Sequence, residues 1–249
     1  MSKFAILGYG RMGKMVEKIC RDRAHEVAAT LDVDAPLRSL DQLQGAEAVI
    51  DFTLPNTVMQ NLQTVAELNI PIVEGTTGWH KDLETAMAIP NLTMIWSPNF
   101  SIGVYFFQQL VKQASKLFGS IKEVDAFLHE WHHTGKADSP SGTALQLAHL
   151  MVDNLPQKSR IFTETSHEPI ASDALHVTSS RVGRVPGTHR IGFDSPFDSV
   201  TLEHQAHGRE GFAYGAVRAA EWILGKRGVF TMQDFMDDFL SKAEIAKPQ

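Results

Sequence analysis

Short apolar runs alternate with stretches of helical period through the first hundred residues. Lys3-Phe4-Ala5-Ile6-Leu7 reads as a short buried strand, and Met15, Val16, Ile19 and Cys20 recur behind it at helical spacing. Further compact apolar runs fall at 27–31, 48–52, 70–73 and 92–96, closed by polar, Gly or Pro residues. Val58, Leu62, Val65, Ala66 and Leu68 keep a helical period between the second and third of these. Such alternation predicts a parallel, doubly wound sheet. Ligands bind sheets of this kind beyond the carboxyl ends of the strands. One long helix is predicted over 101–117 on Val104, Phe106, Phe107, Leu110, Val111, Ala114 and Leu117. The texture then changes. Strand-like pieces at 174–177, 189–193 and 199–204, with turns at Val182-Gly183-Arg184 and Val185-Pro186-Gly187, predict an antiparallel or mixed sheet. Helix returns over 215–224 and 231–239. The fold class is α/β: an N-terminal Rossmann domain, then a second domain built on a different sheet.

The first candidate chemistry lies between the first strand and the first helix. Gly8-Tyr9-Gly10-Arg11-Met12-Gly13 is GxGxxG in the strand-to-helix context that a dinucleotide fingerprint requires. The first glycine permits the tight turn, the second the approach of a pyrophosphate, the third close helix packing. The next strand ends at Asp32, placed where a carboxylate binds the ribose hydroxyls of NAD. Beside it stand Val33 and Asp34, with no Arg or Lys, so a 2′-phosphate would face carboxylates unless Arg11 or Arg38 compensates. Gly75-Thr76-Thr77-Gly78 and Ser97-Pro98-Asn99-Phe100-Ser101 follow the fourth and fifth strands, at the ligand edge of the sheet. Ordinary turn chemistry would also explain both clusters; the fingerprint tips the reading towards a ligand.

The 249 residues suffice for one large or two modest domains. With 23 basic and 29 acidic residues, a net charge of −6 and no basic tract, nucleic acid is not an expected partner. Cys20 is the single cysteine, which excludes an internal disulfide and suits a reducing cytosol. The chain enters a strand at once, without the charged and apolar regions of a signal peptide. No apolar run reaches the ~18 residues of a membrane span. A cytoplasmic location is expected, with no membrane partner.

The densest signal is His132-His133-Thr134-Gly135-Lys136-Ala137-Asp138-Ser139-Pro140-Ser141-Gly142-Thr143. Two imidazoles are followed by an ammonium, a carboxylate and a run that opens an apolar helix through Ala144, Leu145, Leu147, Ala148 and Met151. Pro140 suits the first helical position, with Ser139 before it as cap. Free N–H groups at a helix start cradle a carboxylate, and imidazoles exchange protons near neutral pH. The combination points to a site for a small acidic substrate. His129-Glu130-Trp131-His132-His133 also matches HExxH, which holds zinc only on a helix. Periodicity leaves helix and strand open here: Ile121, Val124, Leu128 and Trp131 fit one, Val124, Ala126 and Leu128 the other. The pattern stops at Thr134-Gly135 and no third-ligand motif follows, so no metal is expected.

Gly8–Gly13, Gly75–Gly78, Ser97 to Val104 and Glu130 to Thr143 together resemble the 4-hydroxy-tetrahydrodipicolinate (dihydrodipicolinate) reductase family. A weaker stretch runs from Arg181, Gly183, Gly187 and His189 to His204, Ala206, Arg209, Phe212, Ala213, Gly215 and Ala216. The resemblance implies a dinucleotide-binding domain over 1–103, completed by C-terminal helices within 213–249. A mixed α/β domain over 104–212 would bind substrate and build a homotetramer. Near Asn99–Val104 and Arg209–Gly215 it implies hinges. It makes the segment 129–133 a strand leading into the active-site loop, which disposes of zinc. The implied reaction reduces a cyclic dicarboxylate with hydride from NADH or NADPH. His132 and Lys136 take the catalytic proton roles; His133, Ser141, Gly142 and Thr143 hold the substrate carboxylates. Gly8, Tyr9, Gly10, Arg11, Met12, Gly13, Asp32, Gly75, Thr76, Thr77, Ser97, Pro98, Asn99 and Phe100 hold the cofactor, with NADH or dual use favoured by Asp32. Many family members carry one more residue in the glycine loop. The rival readings are another two-domain Rossmann oxidoreductase acting on an amino-acid precursor, and a non-catalytic nucleotide-binding regulator. The His-His-Lys loop with Ser-Gly-Thr speaks against both.

Overall fold

The computed structural model describes residues 1–32 and 37–245; Val33 and Asp34, and 246–249 at the end of the C-terminal segment, lie outside the described residues. Two compact units form: Met1–Ser101 with Arg209–Gln249, and Ile102–Gly208.

The first unit begins with β1 (Lys3–Leu7), α1 (Arg11–Asp22), β2 (Glu26–Leu31), β3 (Ala48–Asp51), α2 (Val58–Glu67), β4 (Ile72–Glu74), α3 (Leu83–Met87) and β5 (Met94–Trp96). The second holds α4 (Ile102–Gly119), β6 (Asp125–His132), α5 (Gly142–Asn154), β7 (Arg160–Phe162), β8 (Ala174–Arg181), β9 (Thr188–Asp194) and β10 (Ser199–Gln205). The chain then returns to the first unit as α6 (Glu210–Ile223), β11 (Val229–Thr231) and α7 (Met232–Ile245).

In the first unit six strands lie in the order β11-β5-β4-β3-β1-β2, all parallel. Parallel sheets are covered on both faces, so their strands read as unbroken apolar runs; Ala48-Val49-Ile50-Asp51 is buried at every position. Leu62 and Val65 of α2 pack with Ala5, Leu7, Val49 and Ile72 in one core cluster, and α6 packs on β3, β4, β5 and α1. From β1 the chain passes to β2 on one side, while β3 lies on the other. The order therefore reverses between β1 and β3, and the crevice for a ligand opens beyond their carboxyl ends, where Gly8 and Phe52 follow. The sequence pattern did not mark α3, β7 (Arg160–Phe162) or β11 (Val229–Thr231).

The second unit is a mixed sheet in the order β10-β9-β6-β8-β7. β9 runs antiparallel to β6 and β10; β8 runs parallel to β6 and β7. Phe107, Val111, Leu147 and Met151 of α4 and α5 cover one face, meeting Leu128, Val177, Ile191 and Phe193. The segment 125–132 resolves as a strand with alternating burial, which the two flanking ladders impose. Glu130 and His132 therefore point to the covered face, and His129 and Trp131 to the other. The helical face that HExxH needs does not form.

Candidate active site

In the first unit the glycine loop is built as the fingerprint demands. Gly8 has φ +83°, and a Cβ there would lie 2.5 Å from the Phe52 carbonyl oxygen. A Cβ on Gly13 would lie 2.1 Å from the Gly8 carbonyl oxygen, so α1 rests directly on the turn. Gly10 has nothing within 4 Å of its Cβ position; that is the open backbone a pyrophosphate needs. Gly10 also caps α1 without a side-chain hydrogen bond, and the first turn carries no acid, so its N–H groups favour an anion. The Tyr9 hydroxyl donates to the Glu17 carboxylate along α1. Asp32 is exposed at the end of β2.

A cavity of about 430 Å³ gathers Met12, Gly75, Thr76, Thr77, Ser97, Pro98, Asn99 and Phe100. Phe52, Thr53, Leu54, Pro55 and Phe212 also line it, and none of them was assigned to the cofactor. Gly8, Tyr9, Gly10, Arg11, Gly13 and Asp32 are not among its walls. At the start of α6, burial and the charge of Arg11 hold the Arg209 guanidinium below the ordinary range. These residues fit a dinucleotide: a bare glycine turn, an unfilled helix start and a hollow at the strand ends.

Two carboxyls lie beneath the cavity floor. Asp51 and Glu74 are neighbours in register, 0% and 1% exposed. Asp51 accepts from Thr53 N and Asn61 Nδ2, both at 2.7 Å, and Glu74 accepts from Thr76 N at 2.7 Å. Burial pushes Glu74 well above the usual carboxylate range, and the charge of Asp51 pushes it further. Burial also raises Asp51, against hydrogen bonds from Thr53 and Asn61. The folded pair therefore keeps a proton at a pH where the unfolded chain has lost it. This contribution to stability is full below the unfolded carboxyl range and is lost as pH rises through the folded values. Glu74→Gln keeps a donor towards Asp51 and removes the titration. Urea unfolding across pH should show the variant losing less stability than the wild type from mildly acidic to alkaline pH; parallel curves would refute the shared proton.

In the second unit the twelve-residue run leaves β6 at His132 and enters α5 at Gly142. The cap lies two residues later than expected. Ser141, not Ser139, is the N-cap; its Oγ accepts from Ala144 N at 3.2 Å. The Ser141 N–H is held by Glu130 Oε1 at 2.9 Å, which keeps this residue extended and starts the helix after it. Gly142 is exposed with open space at its Cβ position, and Thr143 is partly buried beside it. Lys136 Nζ pairs with Asp138 Oδ1 at 2.7 Å. Burial would raise the Asp138 carboxyl, but Lys136 outweighs it and holds the group low. His133 is partly buried and accepts at its carbonyl from Lys136 N at 3.1 Å.

His132 is 7% exposed, and its Nδ1 stands 3.1 Å from Glu130 Oε2. Glu130 is fully buried and also takes Ser179 Oγ at 2.8 Å and Arg181 Nη2 at 3.0 Å, with His189 Nε2 at 3.6 Å. Burial alone would push this carboxyl up. The facing polar groups of His132, His189, Ser141 and Ser179 prevail and hold it far below the usual range. Arg181 reaches on to the Asp138 carbonyl, tying β8 to the Lys136 loop. Glu130, His132 and His189 bring three donor atoms within 4.8 Å of one another. The Arg181 guanidinium on the same carboxylate already balances its charge, which opposes a divalent cation. Glu130, Arg181 and His189 had been given no role from the sequence. A readable signal existed for one of them: residues i and i+2 share a strand face, which places Glu130 beside His132 once 125–132 is a strand.

Residues 2–100 match the family model described as dihydrodipicolinate reductase, N-terminus, and residues 103–236 the one described as dihydrodipicolinate reductase, C-terminus. The chain is 35% identical over 237 residues to the 4-hydroxy-tetrahydrodipicolinate reductase of Christiangramia forsetii, covering 94% of this chain and 97% of that one. It is 35% identical over 251 residues to the enzyme of the same name from Archaeoglobus fulgidus, covering 92% and 96%. Among solved structures, dipicolinate-bound dihydrodipicolinate reductase from Paenisporosarcina sp. TG-14 superposes with a TM-score of 0.72 at 19% identity, covering 93% of this chain and 97% of that one.

Proposed function

Because this chain belongs to the dihydrodipicolinate reductase family, we propose that His132 and Lys136 are the proton-handling groups of that family's reaction. The reaction reduces 4-hydroxy-tetrahydrodipicolinate to tetrahydrodipicolinate with NAD(P)H, in lysine and diaminopimelate synthesis. The observation that carries the proposal is the Glu130 carboxylate. It touches His132 and the Ser141 N–H together, joining a proton-exchanging imidazole to a carboxylate-binding helix start.

The bound nicotinamide supplies the hydride; the protein supplies orientation and charge. Hydride arriving at a ring carbon leaves negative charge on the conjugated system, and a proton must quench it. Lys136, held at Asp138, carries three N–H donors for that charge. His132 gives or takes the accompanying proton. Gly142 and Thr143 N–H groups at the start of α5, the Ser141 and Thr143 hydroxyls and His133 hold the two substrate carboxylates. In the first unit, the glycine loop takes the pyrophosphate, Asp32 the ribose hydroxyls, and the 75–77 and 97–100 walls the nicotinamide end.

Asp32 favours NADH or dual use over strict NADPH preference. The enzyme works in the cytoplasm; among the described residues no helix is long and apolar enough to cross a membrane. A homotetramer fits the second sheet, whose face opposite α4 and α5 leaves Phe127 41% exposed.

The test is a coupled assay in which the preceding enzyme makes the substrate in situ from pyruvate and aspartate semialdehyde. Oxidation of NADH is expected, with kcat/KM at least equal to that for NADPH at one ionic strength. A strong NADPH preference would refute the cofactor reading; no oxidation of either would refute the function.

A further inference from the structure

We propose that Glu130 is the positioning residue of this site. It holds His132 with a proton on Nδ1, turned to the carboxylate, and leaves Nε2 as the nitrogen that exchanges protons with substrate. The inference rests on His132 being the proton-transfer group.

The two oxygens of Glu130 have divided tasks. Oε1 is filled by Ser141 N at 2.9 Å, Ser179 Oγ at 2.8 Å and Arg181 Nη2 at 3.0 Å. Those three donors come from β8 and the start of α5, so the carboxylate cannot swing. Oε2 is left to the histidines, with His132 Nδ1 at 3.1 Å and His189 Nε2 at 3.6 Å. Neither Oε2 nor His132 Nδ1 has an aligned hydrogen bond to any partner. They are two buried polar atoms facing one another. An ionised carboxylate only accepts, so the nitrogen opposite it must donate. Contacts of this kind are often loose in the free enzyme and tighten when substrate arrives. On the far side of the ring, a Cβ on Gly187 would lie 2.9 Å from His132 Nε2. Glycine at 187 keeps that nitrogen clear.

The charges around His132 come from every neighbouring element. β6 gives Glu130, β8 gives Arg181, β9 gives His189, and the loop before α5 gives His133, Lys136 and Asp138. His204 of β10 lies beyond His189, its imidazole held below the usual range by burial and by His189. Glu130 is the carboxylate in contact with the ring, so its loss disfavours the imidazolium.

The experiment compares kcat/KM against pH for wild type, Glu130→Gln, Glu130→Asp and His132→Ala, with NADH affinity and Tm for each. Glu130→Gln is expected to lower kcat about 10²-fold, since a mis-set tautomer removes most of a general acid's benefit. It should also move the His132 limb of the profile to lower pH, with NADH affinity unchanged. Glu130→Asp keeps the charge with a shorter reach; kcat should fall while the limb stays in place. Wild-type kcat with an unmoved limb in Glu130→Gln would overturn the proposal, as would a loss of Tm alone. If Glu130→Gln unfolds below the assay temperature, Glu130→Asp decides: depressed kcat with the limb in place supports the proposal, wild-type kcat overturns it. Wild-type kcat in His132→Ala would instead remove the parent reading. A fall in His132→Ala without one in Glu130→Gln would remove this inference alone.

Discussion

His132→Ala is expected to lower kcat by about 10²–10⁴-fold, the usual worth of a positioned general acid or base, with NADH affinity unchanged. The separation follows from where the residue stands. His132 is buried at the end of β6 in the second unit, whereas the glycine loop and the cavity walls belong to the first. Loss of the imidazole removes an interaction made in the transition state, so kcat and kcat/KM should fall together. Lys136→Ala should share this signature, because its ammonium meets charge that exists only after hydride transfer. Single-turnover kinetics with fluorescence titration of NADH would check both variants. Equal losses in turnover and cofactor affinity would count against either role.

Gly215→Ala should be the most damaging single methyl group in the first unit. The Cβ it adds would lie 1.7 Å from the Phe100 carbonyl oxygen and 2.8 Å from the Phe100 carbonyl carbon. Both are backbone atoms and cannot rotate away. Either α6 lifts from the end of the β5 loop or Phe100, 2% exposed and part of the cavity wall, is displaced. Overpacking of this kind costs about 3 kcal/mol, or roughly 6–12 °C in Tm for a chain of this size. Cofactor affinity should fall with it, because the displaced residue lines the proposed nicotinamide end. Gly211→Ala on the same helix is the control: the one atom within 4 Å of its Cβ position, Ser101 Oγ, stands at 3.7 Å. Calorimetry on the two variants should show a large loss for one and little change for the other. Equal Tm values would mean that α6 yields without cost.

Local patterns carried the fold where one element's own residues decide its state. Fully buried parallel strands such as 48–51 show as apolar runs, and GxGxxG announces its turn through three positions that tolerate no side chain or need none. The segment 125–132 was ambiguous because its apolar residues satisfy both periods. Only pairing with β8 and β9, more than forty residues downstream in register, settles it as strand. The helix start was misplaced for a similar reason. Ser139-Pro140 has the right local chemistry for a cap, but Glu130 holds the Ser141 amide and moves the start to Gly142. Glu130 itself stayed without a role because its partners, Ser141, Ser179, Arg181 and His189, are scattered along the chain. A lone Glu between two histidines looks like a zinc-motif remnant until those donors are folded around it.

The six-stranded sheet takes β11 and its covering helix α6 from the far end of the polypeptide, after the whole second unit has been made. During synthesis on the ribosome, the inserted unit is contiguous and can close as soon as it emerges. The flanking unit must wait with β4 and β5 uncovered until α6 and β11 emerge. A nascent chain whose residue 208 has just cleared the ribosome would therefore display a finished insert and an unfinished nucleotide fold, the state in which chaperones would most readily hold it.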